Sequence, residues 1–196
     1  MKLINVAAAA LNQTPLDWAG NRDRIVSAIE RARDADVRML CLPELCITGY
    51  GCEDAFHSPD VARRAGGVLD EIVGQTDGMI VSVGLPVMHQ GALYNTSCLL
   101  VDGRVAGFVA KRNLAGDGVH YEPRWFKAWP DGERSTIEVG GRRVPFGDVF
   151  FDCDGVRIGF EICEDAWVAD RPGRQPARRG GDVILHPSAS HFAFDK

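Results

Sequence analysis

The 196-residue sequence has no excess of positive charge: 22 Lys and Arg stand against 27 Asp and Glu, a net charge of −5. That balance argues against a nucleic-acid partner held by overall cationic charge. No apolar run approaches the roughly 18 residues of a membrane-spanning helix, so no membrane partner is expected. None of the six cysteines, Cys41, Cys46, Cys52, Cys98, Cys153 and Cys163, forms a Cys-x-x-Cys pair, and no histidine stands at metal-ligand spacing from another His or a Cys. A disulfide framework and a metal site both lose support; reduced thiols in a cytoplasmic protein are the expectation, most of them serving as small core residues. Internal repeats and low-complexity tracts are missing, as is a Gly-rich loop that would cradle the phosphates of ATP.

What remains is an ordinary globular composition, 45% hydrophobic and 25% charged, of a length that suits one domain spanning residues 1–196. Lys2 and the apolar run 3–11 have the outline of a short signal peptide. An N-terminal buried strand over 2–10 explains the same run and suits the helical pattern at 21–35, where Ile25, Val26, Ala28, Ile29 and Ala32 recur at helical spacing. A strand over 37–42, a helix over 61–73 and a strand over 79–87 follow. Residues 93–101 and 105–110, joined by Asp102-Gly103, read as a hairpin. Later strands are expected at 135–139, 148–151, 156–161 and 183–185. Such an order predicts an α/β protein with sheets covered by helices. The stretch 169–181, with Arg171, Arg174, Arg178 and Arg179, reads as an exposed loop and a minor candidate for anion binding.

Reactive side chains gather where strands are expected to end, the place where loops of α/β sheets open onto a crevice. Glu44 follows the second strand, Lys111 the strand 105–110, and Cys163 the strand 156–161. A thiol, a carboxylate and an ammonium suffice to hydrolyse an amide through an acyl-enzyme: thiolate attack, a held oxyanion, and a carboxylate that moves protons. Free Cys and Glu differ by roughly 4 pKa units, about 6 kcal/mol against unassisted proton transfer. Burial of Glu44 and the charge of Lys111 beside Cys163 are expected to narrow that gap, the second by lowering the thiol pKa.

Three segments carry a resemblance: Pro43-Glu44-Leu45-Cys46-Ile47-Thr48-Gly49-Tyr50, Lys111 through Tyr121-Glu122-Pro123-Arg124-Trp125-Phe126, and Glu161-Ile162-Cys163-Glu164-Asp165-Ala166-Trp167. Together with Pro187-Ser188-Ala189-Ser190-His191-Phe192 they resemble the nitrilase superfamily of carbon-nitrogen hydrolases, and within it the glutaminase domains of glutamine-dependent NAD synthetases. The resemblance implies a four-layer α-β-β-α sandwich with Glu44 as general base, Lys111 as oxyanion-stabilising residue and Cys163 as nucleophile. It further implies Glu122 as a supporting carboxylate, Glu164, Ser188 and Ser190 at the substrate's amino-acid end, and Tyr50, Tyr121 and Phe126 as pocket walls. Glutamine is the implied substrate, with homo-oligomeric assembly. ATP, Mg and deamido-NAD would belong to a synthetase domain, so this chain is expected to hold no cofactor.

Two departures stand out. His186 precedes Pro187 where the resembling family often carries Asn, which leaves the trio untouched but weakens transfer of pocket detail. Domains of this family also generally continue past the serine motif, so the sandwich is expected to be incomplete at its C-terminal end and to expose apolar surface. A stand-alone amidase acting on another small amide, or an inactive domain with a binding or assembly role, are the alternatives. Cys163 paired with His191 is the rival mechanism, one in which Lys111 is dispensable.

Overall fold

The structure, a computed structural model, describes residues 3–118 and 120–190. Its first helix shows how the elements arise. Asp17 caps α1 (Trp18–Asp34) by accepting the Gly20 N–H at 3.1 Å, and Asn21, Ile25, Ile29 and Ala32 fall on one buried stripe. In α2 (Pro59–Val73) proline opens the first turn, and Val61, Ala65, Val68, Leu69 and Ile72 are buried. Both stripes pack on one face of a seven-stranded sheet, against Leu40, Val81, Val83, Leu85 and Leu100.

That sheet runs in the order β1-β2-β3-β4-β5-β7-β6, from β1 (Val6–Ala8), β2 (Met39–Cys41), β3 (Ile80–His89), β4 (Ala92–Val101), β5 (Arg104–Ala110), β6 (Arg134–Val139) and β7 (Arg142–Gly147). Strands β1, β2 and β3 pair in parallel, and β3, β4 and β5 form an antiparallel meander. The opposite face carries Met39, Leu99 and Val109, which meet Phe151, Ile158, Phe160 and Leu185 of a second sheet. This sheet has the order β10-β9-β8, from β8 (Phe151–Cys153), β9 (Val156–Phe160) and β10 (Val183–Leu185). A short helix, α3 (Arg174–Arg178), covers its outer face, where Pro176 lies against Gly159. Helices, sheet, sheet and helix give the expected four-layer order. Because β3 and β4 are covered on both faces, residues 81–86 and 93–100 are buried without interruption.

Several expectations need correction. The N-terminal strand is an edge, with Val6 58% exposed, because nothing pairs with β1 beyond β2 among the described residues. The segment 148–150 is a connection rather than a strand, since the Asp148 carboxylate accepts from Gly132 N–H and faces Arg112; pairing resumes at Phe151. Strand β7 was not anticipated, although Gly140 and Gly141, both at positive φ, form the tight turn that joins it to β6. The expected loop 169–181 contains α3. Two of its arginines face carboxylates, Arg171 with Glu161 and Arg174 with Asp170 at 2.7 Å, and Arg179 lies over the Phe150 ring. Open apolar surface is present, with Leu3, Val6, Trp167 and Ile184 exposed. All six cysteines are free. Among the described residues no helix is long and apolar enough to cross a membrane.

One glycine lets the sheet hold the Glu44 segment. A Cβ on Gly84 in β3 would lie 2.3 Å from Leu45 N, 2.6 Å from Pro43 O and 2.8 Å from Glu44 C, all backbone atoms that cannot turn aside. We expect Gly84→Ala to cost about 1–3 kcal/mol in urea denaturation. Gly67→Ala, in the interior of α2 with nothing within 4 Å of the added methyl, is expected to be neutral or to stabilise by up to about 1 kcal/mol.

Candidate active site

Glu44, Lys111 and Cys163 each follow the C-terminal end of a strand, β2, β5 and β9 respectively. Strand β5 runs parallel to β2 because two antiparallel steps separate it from β3, so both strands deliver their ends to one edge of the sheet. The Glu44 segment is held there by Leu42 N–H to Ser82 O and Ile47 N–H to Gly84 O, with Leu45 at a positive φ of 49°. Lys111 is placed by its own N–H to Asn95 O at 2.9 Å and by Trp129 N–H to its carbonyl. Cys163 opens a 3₁₀ turn (Cys163–Ala166) at a φ of 48°, anchored by its N–H to Pro187 O at 3.0 Å. Positive φ at a non-glycine residue is strained, and here it turns the thiol out of the strand direction.

Around Lys111 the side chains converge. Its Nζ donates to Glu44 Oε1 at 2.6 Å and to Glu122 Oε1 at 2.8 Å, and Lys111 and Glu122 are wholly buried, Glu44 nearly so. Burial pulls the lysine pKa down, but the two carboxylates outweigh it and hold it above its ordinary value, so Lys111 is an ammonium. Glu122 is pushed up, first by burial and then by the Glu44 charge, against the pull of Lys111. Tyr50 OH donates to Glu122 Oε1 at 2.9 Å, and Ala115 N–H to Glu122 Oε2 at 2.9 Å. Both oxygens of Glu122 are therefore engaged within the fold. Glu44 Oε2 receives only Ala189 N–H, at 3.1 Å, and Glu44 lines a cleft that Glu122 does not reach.

That cleft, about 610 Å³, is lined by residues 8–13, 41–45, 49–50 and 186–190. The Cys163 thiol adjoins it through Ser188, whose hydroxyl donates to Sγ at 3.3 Å. Ser188 also shares a hydrogen bond with Ser190 at 3.0 Å. Adjacent residues thus link the two ends of the site, since Ser188 touches the thiol and Ala189 touches Glu44. Lys111 does pull the thiol pKa down, as expected, but the pull does not prevail. Burial and the Glu44 charge push Cys163 above its ordinary value, outweighing Ser188 and Lys111, so the resting group is a thiol. Cys46, fully enclosed, is pushed up to about 12 by burial and is inert by comparison.

Of the other expected pocket residues, Tyr50, Ser188 and Ser190 line the cleft. Phe126 does not; its ring packs 4.8 Å from Phe56 in a separate apolar cluster beneath the Glu122 turn. Tyr121 is 61% exposed and turned from the cleft lining, and Glu164 is half-buried outside it. His186 sits in the lining with Nε2 3.3 Å from Cys163 O. His191, the rival base, lies outside the described residues.

Two residues went unassigned in the sequence. Asn95 donates through Nδ2 to Glu44 Oε1 at 2.8 Å and to Glu122 Oε1 at 3.4 Å; its signal was an amide within a buried apolar strand. Asp165 accepts from Asn113 N–H and Nδ2 at 2.8 and 2.9 Å and from Ile162 N–H at 3.1 Å, tying the Cys163 turn to the chain just past Lys111. Among the described residues no cluster of three or more His, Cys, Asp or Glu could hold a metal ion.

A sheet sandwich with a buried Glu-Lys-Glu cluster beside a thiol defines a class, and the comparisons agree with it. Residues 5–193 match the family model described as carbon-nitrogen hydrolase, and the chain belongs to that family. It is 35% identical over 208 residues to the glutamine-dependent NAD(+) synthetase of Saccharomyces cerevisiae, covering 99% of this chain and 29% of that protein. The Homo sapiens enzyme of the same name is also 35% identical, over 205 residues. A crystal structure of a glutamine-dependent NAD(+) synthetase from Cytophaga hutchinsonii superposes with a TM-score of 0.91 at 48% identity, covering 98% of this chain and 32% of that one. An amidase from Nesterenkonia sp. shares the fold, with a TM-score of 0.77 at 21% identity over 97% of this chain and 66% of its own. The fold is that of the nitrilase superfamily. The chain spans about a third or less of the length of the synthetases it matches.

The thiol environment makes a test. Glu44 raises the Cys163 pKa, so removing its charge lowers it and enlarges the thiolate fraction at any pH below the midpoint. Glu44→Gln is expected to move the pH midpoint of Cys163 alkylation by iodoacetamide downward, while amide hydrolysis falls about 100-fold or more. An upward or unmoved midpoint contradicts this electrostatic picture.

Proposed function

We propose that this chain is the glutaminase part of a glutamine-dependent NAD synthetase and hydrolyses glutamine to glutamate and ammonia through a Cys163 thioester. The observation that carries the reading is the buried Glu44–Lys111–Glu122 cluster placed, through Ser188 and Ala189, beside the Cys163 thiol. Similarity to synthetases of that name supports the choice of amide.

In this mechanism Glu44 Oε2, the carboxylate oxygen with spare lone pairs, takes the proton from Cys163 Sγ. The thiolate attacks the side-chain amide carbon. Two N–H groups of the Lys111 ammonium are committed to Glu44 and Glu122, and the third is free for the developing oxyanion. Protonated Glu44 then delivers its proton to the departing nitrogen, the C–N bond breaks and ammonia leaves a thioester. Water, deprotonated by the same carboxylate, attacks the thioester, and collapse returns glutamate and the thiol. Glu122, bound by Lys111, Tyr50 and Ala115 and away from the cleft, holds the lysine rather than moving protons. Ser188, Ser190 and Tyr50 on the cleft would meet the substrate's amino-acid end. Ammonia would be consumed at a synthetase site outside these residues, where ATP, Mg and deamido-NAD belong. We place the protein in the cytoplasm and as a homo-oligomer on the family resemblance.

In the intact protein, Cys163→Ala is expected to abolish glutamine-dependent NAD formation, by about 1000-fold or more, while ammonia-dependent formation persists. Continued use of glutamine by that variant overturns the reading. Ammonia release from glutamine, compared across a panel of ω-amides, is expected to favour glutamine; preference for another amide assigns the site to a different amidase. Lys111→Ala is expected to cost about 100-fold or more, and full activity would instead favour a Cys-His mechanism.

A further inference from the structure

Lys111 alone cannot neutralise its site: Glu44 and Glu122 bring two carboxylates to one ammonium, all buried. Like-charged carboxylates this close tend to share a proton, and a Glu44 that holds one at neutral pH cannot accept another from Cys163. The same two oxygens that receive Lys111 Nζ, Glu44 Oε1 and Glu122 Oε1, also receive Asn95 Nδ2, at 2.8 and 3.4 Å. Asn95 Oδ1 is buried with no hydrogen-bond partner. The amide is therefore held by its donor side, and turning it over would set an oxygen against two carboxylates. Its backbone carbonyl accepts Lys111 N–H at 2.9 Å, so one residue of β4 sets the lysine's backbone and bridges both of the lysine's partners.

We propose that Asn95 is a positioning residue that keeps Glu44 and Glu122 both ionised around one lysine, and so keeps Glu44 available as the base at neutral pH. This rests on the reading of Glu44 as the base. The other ionisable groups facing the cluster are Tyr50, whose OH is on Glu122; Cys163, opposed to Glu44; and Asp165, within the field of Lys111. Burial and the neighbouring carboxylates hold Tyr50 in its neutral form, and the thiol is neutral at rest, so neither adds a formal charge. The Tyr50 O–H brings a partial positive charge to Glu122 alone, whereas Asn95 brings one to both carboxylates. A bridging donor of this kind favours the charged form of a carboxylate that it touches, without adding a group that competes for the proton.

The test is the pH profile of kcat in the intact protein, measured with whichever amide of the panel it hydrolyses best. Asn95→Leu, with the same branching but larger and without the donor, is expected to move the acid limb up by about one unit or more. The rate then falls roughly tenfold below the limb and returns to within about threefold of the parent above it, with KM little changed. Asn95→Asp differs by one atom, preserves the packing and sets a third carboxylate against the pair, so its limb should lie higher still. A loss by the same factor at every pH, with the limb unmoved in either variant that keeps the parent far-UV dichroism, overturns the proposal and reduces Asn95 to a packing residue. Preference for an amide other than glutamine overturns the glutamine reading and leaves this one standing. No hydrolysis of any panel amide by the parent protein overturns both.

Discussion

The rest of the site depends on a buried lysine ammonium enclosed between two carboxylates. Removing three charges from solvent is costly, and the attraction among them offsets that cost only when nearly every donor and acceptor is matched. Here the matching is close: Lys111 Nζ meets both carboxylates, Tyr50, Asn95 and Ala115 fill the remaining sides, and Ala189 reaches the far oxygen of Glu44. Glu44 lines the cleft and Glu122 does not, so the geometry that makes the charges tolerable also decides which carboxylate the cleft can reach.

The scaffold around this cluster trades local comfort for placement. Leu45 and Cys163 both sit at positive φ, and Gly84 gives up a side chain so that the Glu44 segment can lie against β3. Asp165 joins the Cys163 turn to the chain after Lys111, which couples a residue of the small sheet to one of the large sheet. These ties cross the sandwich and keep the thiol in register with Glu44, which belongs to the other layer. A thiol pushed above its ordinary pKa in such a place stays neutral until a base takes its proton.

Much of the layer order could be read along the chain because each element had a periodic signal. The stripes of α1 and α2 and the hairpin at Asp102-Gly103 are local patterns, and they recur in the structure to within a few residues. Strand β7 was hidden because Arg142, Arg143 and Pro145 break the usual strand composition, and α3 because Pro176 and its flanking glycines look like a loop. Phe126 and Tyr121 were misplaced for a related reason. An aromatic beside a motif can face the pocket, the core or solvent, and only the direction of the chain around Glu122 selects among these.

The sequence by itself determined the residue types, their order and their places at strand ends: Glu44 after β2, Lys111 after β5, Cys163 after β9. Spacing and periodicity are local properties, and these placements need nothing more. Tertiary structure alone decided that Glu44 lines the cleft while Glu122 lies behind it, that Asn95 bridges the pair, and that the thiol rests protonated. Those outcomes depend on distances between segments up to 145 residues apart, as in the contact of Ala189 with Glu44, and on burial, which sets how strongly each charge is felt. No local pattern carries either quantity.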